Sequence, residues 1–237
     1  MLNTAIILAG GMGTRLKTII SDLPKPMAPI MNVPFLTYQL NYLKHFGIKK
    51  VIFSVGYLSE KIIAHYNQSF ENISIEYSIE KNPLGTGGGI RMAMSNLNED
   101  LVLILNGDSF FDLDLEQFYN LHLEQKSDFS LALRYVNNSE RYGNIEFNSS
   151  NQITSFIEKN QLNQSGYINA GVYILSKKLY LQNTKPNINF SIEKDFFEKQ
   201  LNQLIIKGFE FKNYFIDIGI PEDYLKAQDD FKEFKYK

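Results

Sequence analysis

Apolar and polar positions alternate in two different ways along this chain, and the change falls near residue 128. Before it, apolar runs at residues 5–9, 50–55 and 101–105 predict buried strands, and strict alternation over residues 73–79 predicts a half-buried strand. Segments between and after these runs predict helices at residues 34–46, 59–66, 90–97 and 115–125. Strands that alternate with helices favour a mostly parallel sheet that binds ligands beyond the carboxyl ends of its strands.

From residue 128 onward the pattern becomes richer in strands. Residues 129–136, 143–147 and 153–158 predict short strands separated by Asn- and Ser-rich turns, with no obvious helix between them. A further apolar run covers residues 172–175, an aromatic strand reaches residue 217, and helices are predicted from residue 190 and over residues 221–234. We therefore expect an α/β fold in which helices flank a central sheet and a small β-rich insertion lies on the same core.

Composition narrows the class of protein. A length of 237 residues favours one domain, and a net charge of −2 argues against nucleic acid as the main partner. The absence of cysteine excludes disulfides, thiolate nucleophiles and cysteine metal sites. No apolar run resembles a signal peptide or a membrane span, so we expect a cytoplasmic protein without a membrane partner. The 14 Tyr and 18 Phe leave a homodimer open.

A glycine-rich segment follows the first predicted strand. It reads Gly-Gly-Met-Gly-Thr-Arg over residues 10–15, with Lys25 further on. Glycine allows a tight turn whose N–H groups close around a phosphate, and the guanidinium of Arg15 and the ammonium of Lys25 add positive charge. Leu16 stands where a dinucleotide-binding loop needs a small residue, and a P-loop would need Gly-Lys-Ser/Thr. The alternative is an ordinary strand-to-helix turn.

Two further loops follow predicted strands. Residues 80–89 contain four glycines, which indicate either a second ligand-binding loop or another strand-to-helix turn. Asp108 comes directly after the most apolar strand, at the sheet edge where ligands bind, although a turn or N-cap aspartate would have the same position. Asp112 and Asp114 are interpreted as turn or capping residues.

The motif at residues 10–16, together with Pro-Lys-Pro at residues 24–26, resembles the signature of the sugar-1-phosphate nucleotidyltransferases, also called sugar-nucleotide pyrophosphorylases. Residues 23–29 and 53–57 look most like the branch of this family that makes GDP-D-glycero-D-manno-heptose for surface polysaccharides such as capsule or S-layer glycans. The resemblance covers nearly the whole chain. It implies a Rossmann-like nucleotide-diphospho-sugar transferase fold, with a nucleotide-binding part at residues 1–127, a sugar-binding part at 128–220 and a C-terminal helix at 221–237.

The resemblance also implies roles for individual residues. Arg15, Lys25 and Asp108 would be catalytic, and Asp108 with Asp217 would bind Mg²⁺. Glu80 would read the nucleobase, and its acceptor-only carboxylate suits the two adjacent donors of guanine, which favours GTP unless backbone groups reverse the choice. The full set of expected nucleotide-binding residues is Leu8, Ala9, Gly10, Gly11, Gly13, Thr14, Glu80, Gly85, Thr86 and Gly107.

On the sugar side of the reaction, the resemblance implies that Gly143, Glu158, Lys159 and Asn169 bind the sugar 1-phosphate. Without it, Glu158 and Lys159 would be interpreted as a solvated charge pair and Asn169 as a turn residue. Asn160 replaces the usual proline after the charge pair, which leaves the path of that loop open. Glu193 and Asp195 are expected to be capping or surface acids, although the family often keeps an acidic pair near the sugar.

The reaction expected from the resemblance joins GTP and a sugar 1-phosphate to give a GDP-sugar and pyrophosphate. The sugar phosphate is anionic near neutral pH, so no general base is needed. Mannose 1-phosphate is an alternative substrate because it shares the ring stereochemistry of the heptose. A glycosyltransferase with the Asp-Leu-Asp motif at residues 112–114, or a regulatory nucleotide-binding subunit, are more distant alternatives.

Overall fold

The computed structural model describes residues 2–11, 13, 16, 19–20, 22–157 and 165–236. Its strands are β1 Thr4–Leu8, β2 Pro29–Ile30, β3 Val33–Pro34, β4 Lys50–Val55, β5 Ser69–Phe70, β6 Ile73–Ile79, β7 Leu101–Asn106, β8 Ser109–Phe111, β9 Phe129–Val136, β10 Asn144–Phe147, β11 Ile153–Ile157, β12 Gly166–Ser176, β13 Ile206–Glu210 and β14 Phe215–Asp217. Its α-helices are α1 Phe35–His45, α2 Ser59–Tyr66, α3 Gly85–Met94, α4 Leu115–Glu124, α5 Lys177–Gln182, α6 Glu198–Gln200 and α7 Pro221–Asp230. Short 3₁₀ turns cover Lys25–Met27 and Phe231–Glu233, and a π-helical segment covers Ile192–Phe197.

Eight of the strands form a central sheet in the order β13-β9-β12-β7-β1-β4-β6-β5. Strand β1 lies between β7 and β4 and is parallel to both, and β4 is also parallel to β6. Strand β12 is antiparallel to both of its neighbours, whereas β13 is parallel to β9. The predicted mostly parallel sheet with flanking helices is therefore confirmed.

The sheet separates two apolar cores. Ile7 of β1 packs in the core that contains the buried faces of α1, α2, α4 and α7. Its neighbour Ile6 points to the opposite core, which contains α3, α5 and the π-helical segment. This division follows from strand geometry, because successive side chains point to opposite faces. It explains why the central strands are apolar at every position rather than at every second one.

The register of the parallel strands aligns their carboxyl ends. Leu8 at the end of β1 lies opposite Ser54 of β4 on one side and Asn106 of β7 on the other. The loops that leave these three strands therefore begin at the same edge of the sheet. This is the position where open parallel sheets bind ligands.

The helix predicted from residue 90 begins earlier, at Gly85, so that residues 85–89 of the second glycine-rich segment form its start. A Cβ on Gly87 would lie 2.1 Å from the Phe190 ring, and one on Gly88 would lie 2.5 Å from the Ile188 carbonyl oxygen. Residues 188–190 thus pack directly against the helix backbone. Low helix propensity concealed this helix start, because glycine is normally unfavourable inside a helix.

The strands after residue 128 are divided among three sheets, since β14 pairs with β8. Strands β9, β12 and β13 extend the central sheet, whereas β10 and β11 form a separate two-stranded sheet. Strand β12 begins at Gly166, six residues before the apolar run that predicted it, and its register shifts between Asn169 and Tyr173. Gly171 has a φ of +74° within this bulge. The prediction missed the first half of the strand because the bulge interrupts its apolar pattern.

The C-terminal helix α7 ends at Asp230, and the chain then folds back over α1. The Phe231 and Phe234 rings stack with centroids 3.9 Å apart, and the edge of Tyr38 contacts Phe231 at a centroid distance of 4.7 Å. The helix predicted to reach residue 234 is therefore shorter than expected. No helix in the described part of the chain is long and apolar enough to cross a membrane.

Candidate active site

The carboxyl ends of the central strands open into a cavity of about 710 Å³. Nine of its lining residues were predicted as site residues from sequence: Leu8, Gly10, Gly11, Gly13, Lys25, Glu80, Gly85, Thr86 and Asp108. Eight others were not predicted: Pro26, Ser54, Gly56, Tyr57, Lys81, Pro83, Asn106 and Gly219. Both glycine-rich segments and the Asp108 turn thus face one cavity.

Two more predicted residues support the cavity wall from behind. Ala9 is fully buried, and its N–H donates to the Ser54 carbonyl at 2.8 Å. The N–H of Gly107 donates to the Leu8 carbonyl at 2.9 Å, and a Cβ on Gly107 would lie 2.6 Å from that oxygen. The predicted residues Thr14 and Arg15 lie outside the described residues.

Lys25 joins the two predicted metal-binding carboxylates. Its Nζ lies 2.6 Å from Oδ2 of Asp108 and 3.5 Å from Oδ1 of Asp217. The two aspartates meet because β14 pairs with β8, which places Asp217 opposite Ser109, and because the Ile218 N–H donates to the Asp108 carbonyl at 3.0 Å. The expected convergence of residues 109 positions apart is therefore observed.

The two carboxylates have different environments. The side chain of Asp108 is 41% exposed, whereas that of Asp217 is 22% exposed. Burial raises the pKa of Asp217, and the negative charge of Asp108 raises it further, while Lys25 and the N–H of Gly219 oppose the shift. The Gly219 N–H donates to Oδ1 of Asp217 at 2.7 Å. The pair therefore favours the binding of positive charge between its two members.

Glu80 lies between the two glycine-rich segments. Its Oε2 accepts a hydrogen bond from the Leu84 N–H at 2.8 Å, and its Oε1 accepts one from the Ser54 hydroxyl at 3.3 Å. A Cβ on Gly89 would lie 2.6 Å from Oε1. The Glu80 carboxylate thus braces the start of α3 while it lines the cavity. Each of its oxygens retains a second lone pair for another donor.

Asn169 lies inside β12 rather than in a turn. Its Nδ2 donates to Oε1 of Glu193 at 2.5 Å and to the Tyr173 hydroxyl at 2.7 Å, and its Oδ1 accepts from the Gly171 N–H at 3.0 Å. The expectation that Glu193 is a surface or capping acid is therefore wrong, because the bulge in β12 turns Asn169 toward it. Asp195 does act locally, since its Oδ2 accepts from the Ser191 N–H at 2.9 Å.

Tyr173 connects this cluster to the cavity. The side chain is 1% exposed, and it forms a hydrogen bond with the side chain of Asn106, which lines the cavity. Burial raises the pKa of Tyr173, and the nearby Glu193 carboxylate raises it further, so the hydroxyl remains protonated. Asn169 does not line the cavity itself, but it lies two hydrogen bonds away from a residue that does.

Gly143 ends a turn in which its N–H donates to the Ser139 carbonyl at 3.1 Å, and it has a φ of +77°. The preceding Arg141 donates from Nη2 to Oδ2 of Asp223 at 2.6 Å and to the Tyr142 hydroxyl at 2.5 Å. Burial raises the pKa of Tyr142 to about 12, and the charge of Asp217 contributes to the shift. The turn is therefore tied to the start of α7, next to the two carboxylates. Glu158 and Lys159 lie outside the described residues.

The other acidic motif has a structural role. Oδ1 of Asp114 accepts from the N–H groups of Glu116 and Gln117, both at 2.9 Å, and so caps α4. Asp112 accepts from the Tyr236 hydroxyl at 2.9 Å and pairs with Lys235. The interpretation of Asp114 as a capping residue is confirmed, whereas Asp112 instead binds the C-terminal segment at Lys235 and Tyr236.

Several site residues had no readable signal in the sequence. Ser54 lies one residue before the end of β4 and Asn106 ends β7, and the mostly apolar pattern of both strands drew attention away from these polar residues. Their position at carboxyl strand ends was the one available signal. Tyr57 and Lys81 each follow a strand end by a few residues, and aromatic or basic residues are common in such loops. Only the register of the sheet brings these four residues to the same cavity.

Comparison with known proteins gives the same picture along the whole chain. The profile of the nucleotidyl transferase family matches residues 4–233. The D-glycero-alpha-D-manno-heptose 1-phosphate guanylyltransferase of Aneurinibacillus thermoaerophilus is 44% identical over 230 residues, which are 97% of this chain and 99% of that protein. The protein of the same name from Campylobacter jejuni is 44% identical over 220 residues, which are 93% of this chain and 96% of that protein.

A solved structure supports the comparison. The crystal structure of HddC from Yersinia pseudotuberculosis complexed with GMP-PN superimposes with a TM-score of 0.85 at 38% sequence identity. The match covers 98% of this chain and 100% of that chain. The resemblance predicted from the glycine-rich motif and the Pro-Lys-Pro segment is therefore confirmed.

Proposed function

The chain belongs to the nucleotidyl transferase family, and from this premise we propose that it transfers GMP from GTP to D-glycero-α-D-manno-heptose 1-phosphate. The products are GDP-D-glycero-α-D-manno-heptose and pyrophosphate. The observation that carries the proposal is the cavity at the sheet edge, where glycine backbone, Lys25 and Asp108 face one another. The two relatives of nearly the same length that carry the name of this activity support the choice of base and sugar.

The reaction begins when a phosphate oxygen of the sugar 1-phosphate attacks the α-phosphorus of GTP. A new P–O bond forms while the bond from the α-phosphorus to the oxygen that bridges to the β-phosphate breaks, and pyrophosphate leaves with the electron pair. The attacking oxygen is already anionic, so the obstacle is repulsion between two anions. Catalysis therefore depends on positioning and charge neutralisation.

Lys25 is the described cation best placed for this task. It lies in the cavity wall with only 9% of its side chain exposed, and the two aspartates hold its ammonium in place. We assign it to the α-phosphate. Arg15 would bind the departing phosphates and Lys159 the sugar phosphate, as the family resemblance implies. Guanidinium and ammonium groups both suit phosphate oxygens.

Asp108 and Asp217 would hold Mg²⁺. The fit rests on the donor set, because a single cation, the Lys25 ammonium, already contacts both carboxylates. No group of three or more metal-ligating side chains occurs among the described residues, and Mg²⁺ is usually bound through only one or two carboxylates together with substrate phosphates. When bound, the ion would neutralise charge on the triphosphate.

The nucleobase would lie against the segment from Glu80 to Thr86. Both Glu80 oxygens have protein donors, yet each retains a lone pair for the N1–H and amine of guanine. Backbone groups of the same segment face the cavity at Gly85. The sugar would lie toward Asn169 and Gly143, next to Asp108 and Asp217. Glu158 would bind the sugar hydroxyl groups as well.

The test is pyrophosphate release by the purified protein with Mg²⁺. Each of ATP, CTP, GTP, UTP and TTP is combined with D-glycero-α-D-manno-heptose 1-phosphate and, separately, with mannose 1-phosphate. We expect release with GTP and the heptose, and a lower kcat/KM with mannose. Equal kcat/KM values for the two sugars would widen the substrate assignment. Absence of release with every pair would reject the proposal in favour of a glycosyltransferase or a regulatory subunit.

A further inference from the structure

A buried glutamine holds the turn that carries Asp108. Gln39 lies in α1 and is 1% exposed. Its Nε2 donates to the carbonyl of Asn106 at 2.8 Å and to the carbonyl of Ser109 at 2.7 Å. These two carbonyls stand on either side of Asp108 in the chain. One side-chain amide therefore joins the two ends of the turn from residue 106 to residue 109.

The orientation of the amide follows from its partners. Both partners are carbonyl oxygens, so only the NH₂ end of Gln39 can satisfy them, and both of its hydrogens are used. The other end, Oε1, is buried and has no hydrogen-bond partner among the described residues. A buried acceptor without a partner is unfavourable. The unfavourable Oε1 thus occurs at the position where the two N–H groups of the same amide bridge the turn.

Backbone hydrogen bonds also hold the turn. Gly107 donates to the Leu8 carbonyl, and the Ile218 N–H donates to the Asp108 carbonyl. These bonds attach the turn to β1 and to the segment after β14. Gln39 supplies the attachment to α1, the helix packed across the end of β7. Without it, the Asn106 and Ser109 carbonyls would lose a buried donor and the turn could rotate.

We propose that Gln39 is a positioning residue that holds the Asp108 carboxylate in its place beside Lys25 and Asp217. The inference rests on the proposed function, because Asp108 is there assigned to Mg²⁺. Groups that orient a metal ligand from behind typically change metal affinity or activity by about 10- to 100-fold when they are lost. Gln39 would have this effect because it holds the backbone on both sides of Asp108. It forms no hydrogen bond with the Asp108 side chain.

The experiment compares Gln39→Met, which keeps the length of the side chain but has no donors, with Tyr42→Phe as a matched control. Tyr42 lies on the same helix, is 1% exposed, and donates to the Leu113 carbonyl at 2.8 Å. Each variant thus removes buried hydrogen bonds from α1 to a backbone carbonyl. We expect Gln39→Met to lower kcat roughly 10-fold or more and to raise the half-saturating Mg²⁺ concentration by a similar factor. Its KM for the sugar 1-phosphate should change less than about 2-fold.

Direct binding of Mn²⁺ in the presence of GMP-PN, followed by electron paramagnetic resonance, should weaken in Gln39→Met and not in Tyr42→Phe. Wild-type kcat, Mg²⁺ dependence and Mn²⁺ binding in a folded Gln39→Met variant would overturn the inference. An equal loss in both variants would reduce Gln39 to a packing role.

Hydrogen exchange separates this inference from the proposed function. The amides of residues 107–109 should exchange faster in Gln39→Met than in the wild type or in Tyr42→Phe, whatever substrates the enzyme uses. If the wild-type protein releases no pyrophosphate but these amides respond, the proposed function fails and the role of Gln39 in the turn stands. If the exchange is unchanged, the inference fails even for an active enzyme.

Discussion

The two sides of the candidate site are built in different ways. The candidate nucleotide side comprises residues 8–11, 13 and 80–86, which lie at or just after the ends of the parallel strands β1 and β6, and its glycines Gly10, Gly11, Gly13 and Gly85 line the cavity. The candidate sugar side comprises Gly143, Asn169 and Glu193, which come from three separate parts of the chain, and a side-chain hydrogen bond joins Asn169 to Glu193. Asn169 lies where the register of β12 shifts.

This difference shows which kind of binding site leaves a recognisable motif in the sequence. A loop that binds through its backbone needs glycine at particular positions, because a side chain would obstruct the ligand or a neighbouring strand. That requirement leaves a local pattern in the sequence. A site built from distant side chains leaves no such pattern, because any strand or helix can supply one asparagine or one glutamate.

The largest effect is expected where the two sides meet. Asp108→Asn should lower kcat by roughly 100- to 1000-fold, since loss of one stabilising contact at the reacting charge costs about 3–4 kcal/mol. Asp112→Asn is a matched control, because Asp112 lies four residues away and binds Lys235 and Tyr236 instead. It should keep turnover within about 2-fold, as expected for a partly exposed ion pair. Steady-state pyrophosphate release, with thermal unfolding to confirm the fold, would decide; near-wild-type turnover in Asp108→Asn would remove this residue from the mechanism.

The first turn of α3, directly after the nucleotide side, should be sensitive to a single methyl group. Gly87→Ala would place a Cβ 2.1 Å from the Phe190 ring, and overpacking of this kind costs about 1–3 kcal/mol. Phe190→Ala in the same chain removes the clash, so the double variant should be destabilised less than the sum of the two single variants. Urea unfolding of the four proteins measures this coupling. If the losses of stability in the two single variants add up in the double variant, the Phe190 ring does not restrict the size of the side chain at residue 87.

Protonation of His122 should lower the free energy of unfolding without changing the affinity for substrates. His122 is buried in α4 and its Nδ1 pairs with the Ser130 hydroxyl of β9 at 2.8 Å, and burial lowers its pKa from 6.5 to about 4. The unfolded chain therefore binds a proton that the folded chain excludes, so stability falls as pH falls below 6.5. The loss between pH 7 and pH 5 should be about 2 kcal/mol for this group.

Urea unfolding at several pH values measures this loss. The variant His122→Gln keeps a polar partner for Ser130 and cannot titrate, so its stability should change less between pH 7 and pH 5. An identical pH dependence in the variant and the wild type would assign the effect to other groups.

The smallest effect is expected on the sugar side. Asn169→Ala removes hydrogen bonds to Glu193 and Tyr173, and it should raise the KM for the sugar 1-phosphate by roughly 10-fold, which corresponds to about 1.4 kcal/mol. The KM for GTP should change less than about 2-fold if the two sides act separately. Tyr173→Phe is the informative comparison, because its hydroxyl bonds both Asn169 and the cavity residue Asn106. A rise in the KM for GTP in both variants would show that the two sides are coupled.

Much of the cavity could be predicted because its residues stand at the carboxyl ends of apolar strands. Leu8, Glu80 and Asp108 stand at or just after such strand ends, whereas Lys25 was predicted from its charge and from the Pro-Lys-Pro motif, and the structure places all four at one cavity. Their catalytic and binding roles, and those of Arg15, Glu158 and Lys159, remain predictions. Glu193 was misjudged because an acid near a helix start usually caps it, whereas here Ser191 provides the cap and Glu193 turns inward to Asn169.

The sequence by itself determined the mostly parallel sheet, its apolar central strands and the two glycine-rich segments, because these depend on local periodicity and on residues without side chains. Only the tertiary structure decided that α3 starts among glycines, that Gln39 spans the Asp108 turn, and that Lys25 bridges Asp108 and Asp217. The physical reason is that each of these contacts joins residues tens of positions apart or more. Their side chains meet through sheet register and helix packing, which no short segment of the chain specifies.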